Sequence, residues 1–238
     1  TFRHLKNDPS NSQTLGANFI LSIYKSRDGT QYIGTNEKGL DVLENNSDNF
    51  IHYRNNPSDS FSISNNSIYC IYEDDHGIIW LGTMGGGLNA FDRKSKHFIH
   101  YTEQDGLPNN VIYGICGDKH DNLWLSTNNG ICKFTPPELI NFNSAISLNN
   151  KPRLIRNYNI SDGLSSNEFN QGAYFQNNGG WIYFGSISGI TCFHPDSIFD
   201  NTFKPPILLT SFKVFEKNYP LDTLIEYKKK IVLKYNQD

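Results

Sequence analysis

A short block of residues returns four times along this chain, and that return constrains the fold more than any other feature. Trp80-Leu81-Gly82-Thr83 is echoed by Trp124-Leu125-Ser126-Thr127 and, more weakly, by Tyr32-Ile33-Gly34-Thr35 and Tyr183-Phe184-Gly185-Ser186. The blocks open 48, 44 and 59 residues apart. A second block, Phe50-Ile51-His52-Tyr53, returns as Phe98-Ile99-His100-Tyr101, with Phe2-Arg3-His4-Leu5 and Ile155-Arg156-Asn157-Tyr158 as weaker copies. A fixed period of this length marks a repeated supersecondary unit that buries its apolar faces against its neighbours.

Within one unit, alternating residues from Ser67 to Tyr72 meet a polar turn, Glu73 to Gly77. Ile78 to Thr83, a Gly-rich turn, Leu88 to Phe91 and Phe98 to Tyr101 follow. These are four short strands separated by Gly, Asp and Asn, the chemistry that hairpins need. Four-stranded units at this period predict an all-β fold, a partial β-propeller of antiparallel blades. The divisions are 1–14 for the outer strand of a preceding blade and its loop, then blades at 15–62, 63–109 and 110–166. The third carries an insertion near 141–151; 167–202 is a final partial blade and 203–238 the start of a β-sandwich. Trp80 and Trp124 are expected to fill the layer between blades, with Tyr32 and Tyr183 in the same register. Gly34, Gly82 and Gly185 should allow close approach there. Phe91, Phe134 and Phe193 should fill the same layer. The chain opens mid-pattern, as a segment of a longer polypeptide would.

Lys and Arg number 21 against 24 Asp and Glu, with no basic stripe, which argues against a nucleic-acid partner. Aromatics at 13% argue against disorder. His4, His52 and His100 share one repeat register, so packing or surface roles are expected of them. No spacing of His, Cys or carboxylates suggests a metal site, a catalytic group or a cofactor. The turn acids Glu73, Asp74, Asp75 and Asp118 are expected to be solvated. Cys70, Cys116, Cys132 and Cys192 are expected as four free thiols. The candidate binding surface is the set of loops from each outer strand to the next inner strand. Asn66, Asn110, Asn167, Glu168 and Asn170 stand there to bond sugar hydroxyls, and Tyr69, Tyr113 or Tyr174 to offer a stacking face.

The stretch Asn65 to Asp92, with Asp74, Gly77, Trp80-Leu81-Gly82-Thr83 and Gly86-Gly87-Leu88 in their places, resembles the two-component regulator propeller repeat. Asp105-Gly106-Leu107-Pro108-Asn109-Asn110 and Asp162-Gly163-Leu164-Ser165-Ser166-Asn167 fit it too. The tail after Pro205 resembles the tyrosine-named β-sandwich that follows such propellers. The resemblance implies the periplasmic, extracytoplasmic sensor part of a hybrid two-component system, non-enzymatic in this segment. It would recognise oligosaccharides, work with the remainder of the sensor as a homodimer, and signal to a histidine kinase outside this chain. That kinase would govern transcription, and membrane contact would come only through the missing part. Two alternatives stay open: a protein-interaction scaffold, and a propeller lyase or hydrolase.

Overall fold

The computed structural model describes residues 2–144 and 150–199, together with the backbone of 213–214 and 217–218. Its residues up to Ile198 form four antiparallel sheets in sequence order. The first is β1 (Ile20–Lys25), β2 (Gln31–Thr35), β3 (Leu40–Leu43) and β4 (Phe50–Tyr53). The second is β5 (Ile68–Glu73), β6 (Ile79–Thr83), β7 (Leu88–Asp92) and β8 (His97–Tyr101). The third is β9 (Ile112–Gly117), β10 (Leu123–Thr127), β11 (Gly130–Thr135) and β12 (Leu154–Tyr158). The fourth has three strands among the described residues, β13 (Phe169–Gln176), β14 (Ile182–Ser186) and β15 (Gly189–Phe193). The chain splits into two compact units at Ile198/Phe199. In the second, β16 (Lys213–Val214) and β17 (Lys217–Asn218) form an antiparallel pair; the rest of the expected sandwich lies outside the described residues. Phe2 to Leu5 join no strand.

First strands of successive blades touch one another, and β13 also touches β5, so the inner strands converge on a common axis. Packing between blades repeats residue by residue. Trp80 of the second blade meets Phe134 of the third edge-on, with ring centroids 5.6 Å apart. Trp124 of the third meets Phe193 of the fourth at 4.7 Å, and on the outer strands Tyr53 of the first meets Phe91 of the second at 4.8 Å as Tyr101 of the second meets Phe134 of the third at 4.8 Å. The glycines face the same layer. A Cβ on Gly82 would stand 2.8 Å from Ile112 of the next blade, and one on Gly34 2.7 Å from the carbonyl oxygen of Ile68. Bulk and close approach therefore alternate across each interface, as the repeat predicts.

Among the described residues the arc has two open faces. Leu40, Leu88 and Ile131 occupy one register and are 0%, 0% and 1% exposed, while Ile190 in that register of the fourth blade is 70% exposed. On the opposite face Ile71 and Ile115 are buried, whereas Ile23 of the first blade is 70% exposed. Tyr183 and Gly185 lie on the open fourth blade, so the layer they are built for is uncovered there among the described residues.

Two expectations need correcting. The turn acids Asp74 and Asp118 are not simply solvated. Asp74 Oδ1 accepts the backbone N–H of His76 and Ile78, and its Oδ2 accepts the Trp80 indole N–H at 2.7 Å. Asp118 repeats this with His120, Asn122 and Trp124, the last at 2.9 Å. A carboxylate has acceptors enough to cap a turn and hold an indole together, and a buried indole N–H needs a partner. The histidines also do more than pack: His52 Nε2 meets the Ser12 carbonyl at 2.9 Å and His100 Nε2 the Ser62 carbonyl at 2.6 Å, anchoring the incoming loops.

All four cysteines are free thiols; Cys70, Cys116 and Cys132 are buried and Cys192 is exposed. Burial pushes the Cys116 thiol up to about 12 and those of Cys70 and Cys132 up as well. A thiol that cannot ionise does not attack. Native protein should therefore titrate one thiol rapidly with a disulfide reagent and all four after denaturation. Rapid reaction of a second thiol in the native state would contradict this packing.

Candidate functional site

Antiparallel pairing sends the loops joining β4 to β5, β8 to β9 and β12 to β13 to one end of the blades, together with the turns between second and third strands. At this end the structure separates the expected site residues into two groups. The first group closes loops. Asn66 Oδ1 accepts the N–H of Asn55 at 2.7 Å, Asn110 Oδ1 that of Glu103 at 2.8 Å, and Asn167 Oδ1 that of Ile160 at 2.9 Å. The backbone carbonyls of these residues accept the N–H of Gly39, Gly87 and Gly130 at 2.6, 2.8 and 2.6 Å. Each asparagine thus ties a long loop to the turn of the preceding blade. Asn110→Ala should cost about 1–2 kcal/mol and speed amide exchange at Glu103, while Asn110→Asp, which keeps the acceptor, should cost less. Unchanged exchange in the alanine variant would remove the clamp.

The second group faces the axis. Tyr69 and Tyr113 each sit at a β-bulge of an inner strand, where the pairing with β6 or β10 skips a residue. A bulge re-aims its side chain. The two rings stack at 5.7 Å with planes 16° apart, across the boundary between the second and third blades. Both are half-buried. Tyr113 Oη reaches Asn128 Oδ1 at 3.5 Å, a partner the sequence reading missed; its position in the turn after β10 was the available signal. Burial first, then the Tyr69 and Glu168 charges, raise the Tyr113 phenol above its usual value. Glu168 and Asn170 are exposed on the fourth blade. Tyr174 is not available as a stacking face. It packs against Gly114, whose Cβ would stand 2.6 Å from its ring, and belongs to the core between the third and fourth blades. The Gly114 that makes room for it gave no sign of this alone.

At the opposite end a groove of about 1070 Å³ runs between the turns of the first three blades. Tyr72, Trp80, Ile140 and Phe142 contribute to its lining, the last two supplied by the inserted segment of the third blade. His97 Nδ1 meets the Phe142 carbonyl at 2.6 Å and fastens that segment to the second blade. Two arginines in the groove are already paired across blades, Arg27 with Asp75 at 2.6 Å and Arg93 with Asp28. No group of three or more His, Cys, Asp or Glu among the described residues could hold a metal ion.

Residues 62–85 and 106–129 match the two component regulator propeller model. Blades two and three carry the two-component regulator propeller repeat. The extracellular domain of BT3049 of B. thetaiotaomicron, described as a hybrid two component system, is 30% identical to the chain. It superposes with a TM-score of 0.67 over 91% of this chain and 28% of that one. Histidine kinase P4 of Formosa agariphila is 36% identical over 64 residues, which is 27% of this chain and 5% of the kinase. The extracellular domain of BT4673 of B. thetaiotaomicron, at 22% identity and a TM-score of 0.51 over 82% of this chain and 32% of that one, shares the fold. The chain thus spans under a third of each of these relatives, and it is a propeller like the extracellular sensor domains of hybrid two-component systems. Among the described residues, no helix is long and apolar enough to cross a membrane.

Proposed function

We propose that this two-component regulator propeller segment is the ligand-facing part of a periplasmic sensor that recognises oligosaccharides. It would pass occupancy to a histidine kinase outside this chain and so to transcription. The observation that carries this reading is the stacked Tyr69–Tyr113 pair on converging inner strands, with Glu168 and Asn170 on the next blade. A sugar ring offers an apolar C–H face to an aromatic ring and hydroxyls to polar side chains. A carboxylate accepts from those hydroxyls, and an amide both donates and accepts. Relay requires that the ligand bind one arrangement of the sensor better than another, which a homodimeric ectodomain supplies through its subunit packing.

Calorimetric titration of the chain with oligosaccharides tests this. Tyr69→Ala and Tyr113→Ala are each expected to weaken binding about tenfold, since buried aromatic anchors dominate such interfaces. Silence across gluco-, manno-, galacto- and xylo-oligomers would sink the reading. A second reading, a protein-binding scaffold, draws on the exposed Ile23 and Ile190 faces and predicts that partner binding survives both tyrosine substitutions.

A further inference from the structure

We propose that His52 is a pH-sensitive latch on the loop that enters blade one, closed while its ring carries both protons and released as pH rises. The two ring nitrogens face two acceptors. Nδ1 stands 2.6 Å from Asp41 Oδ1, and Nε2 stands 2.9 Å from the Ser12 carbonyl oxygen. A neutral imidazole has one N–H and can serve only one of them, whereas the imidazolium donates to both. Asp41 is wholly buried and takes donors from three sides: His52, the Gly16 N–H at 2.6 Å on Oδ2, and the Arg54 guanidinium at 3.1 Å on Oδ1. The His52 side chain is 21% exposed, so solvent protons reach it.

The next two blades fasten their loops from the same register without a second proton. Register sets Asp41 against His52, Asn89 against His100 and Cys132 against Asn157. In blade two His100 Nε2 meets the Ser62 carbonyl at 2.6 Å, while Asn89 bonds the Ser64 N–H and hydroxyl, so one ring N–H is enough. Burial also holds the His100 ring below its usual value. In blade three the Asn157 amide donates to the Gly106 carbonyl at 2.9 Å, and an amide does not titrate.

The charged groups on the elements around His52 are Lys6 and Asp8 of the loop, Glu37 and Lys38 of the turn after β2, Asp41 and Arg54. Asp8 is turned to Ser10, at 2.9 and 2.7 Å. Arg54 keeps its charge throughout, so the ring proton is the one that rising pH removes from the Asp41 cluster. The N–H that survives is the one held by the carboxylate, because a charge-assisted bond is the stronger of the two. Nε2 then turns a lone pair toward the Ser12 carbonyl, and the loop loses its anchor.

Nitrogen NMR of the imidazoles in the 238-residue chain reads the ring directly, and both His52 nitrogens should carry protons at about pH 5.5. Amide exchange reads the latch. The Phe50 N–H is bonded to the carbonyl of Gln13, beside Ser12, and the Phe98 N–H of blade two to that of Phe61, both at 2.9 Å. Their ratio removes the base catalysis common to both. Protection at Phe50 should fall about fivefold relative to Phe98 between about pH 5.5 and pH 8, in step with the ring. His52→Asn, which copies the blade-three anchor, should abolish that dependence. A ring with a single N–H at about pH 5.5, a ratio that does not follow the ring, or a dependence that survives His52→Asn would each overturn the latch.

Discussion

Trp80→Ala is expected to remove about 3–5 kcal/mol of stability, the usual cost of truncating a fully buried aromatic, read as a lower midpoint in urea unfolding. The indole is wholly buried. It touches Tyr101 of its own blade at 6.1 Å and Phe134 of the next at 5.6 Å, so its loss opens a cavity in the layer that joins two blades. Asp74 loses its indole donor at the same time, although its two turn contacts survive. In a repeat array each unit is stabilised chiefly by its neighbours. Amide exchange should therefore accelerate in blades two and three and much less in blade one. Trp80→Tyr is the informative control. Blade one already has Tyr32 in this register, with Ser26 where blade two has Asp74, and the Tyr32 hydroxyl finds no partner among the described residues. The tyrosine variant should keep most of the packing and lose the indole bond, a cost of about 1–2 kcal/mol. A loss below about 1 kcal/mol for the alanine variant would mean that the indole does not hold the blades together.

The blades were legible because their packing leaves few choices. A Trp or Tyr against a Phe of the next sheet, and a Gly where a Cβ would strike that sheet, must recur wherever the interface recurs. Side chains that satisfy backbone groups are harder to read. Asn110 bonded to a loop N–H and Asn110 bonded to a sugar hydroxyl have the same spelling, and only the 2.8 Å contact to Glu103 distinguishes them. Asp74 and Asp118 were misread for a related reason. An Asp in a tight turn needs no further explanation, and the Trp six residues on has one as interface bulk, so the bond between them is not legible, although the indole N–H requires an acceptor. The axial tyrosines were visible as aromatics on inner strands. Their stacking was not, because it depends on a bulge in each of two strands far apart in sequence. The groove at the turn end was equally hidden: the insertion showed only as an irregular interval, and its contact with His97 is tertiary.

The second large effect is expected at Gly87, where alanine should cost about 2–4 kcal/mol. Its backbone lies in the left-handed region at φ +76°, and a Cβ would stand 2.1 Å from the Tyr101 carbonyl oxygen. Strain and collision therefore act together, and the backbone atom in the way cannot swing aside as a side chain could. Gly85, two residues earlier in the same turn, separates these causes. It also has positive φ, at +96°, yet no atom lies within 4 Å of its added Cβ. Gly85→Ala should thus carry only the conformational part, about 1 kcal/mol, and the difference between the two variants measures the collision. Relief at Gly87 must come from moving the turn away from Tyr101, and that movement pulls on Asn110, whose carbonyl holds the Gly87 N–H. Asn110 in turn closes the loop that leads into β9 and Tyr113. Gly87→Ala should therefore weaken saccharide binding as well as stability, whereas Gly85→Ala should leave binding intact. Equal losses of stability in the two variants would show that the close approach of turn and outer strand does not govern this end of the blade.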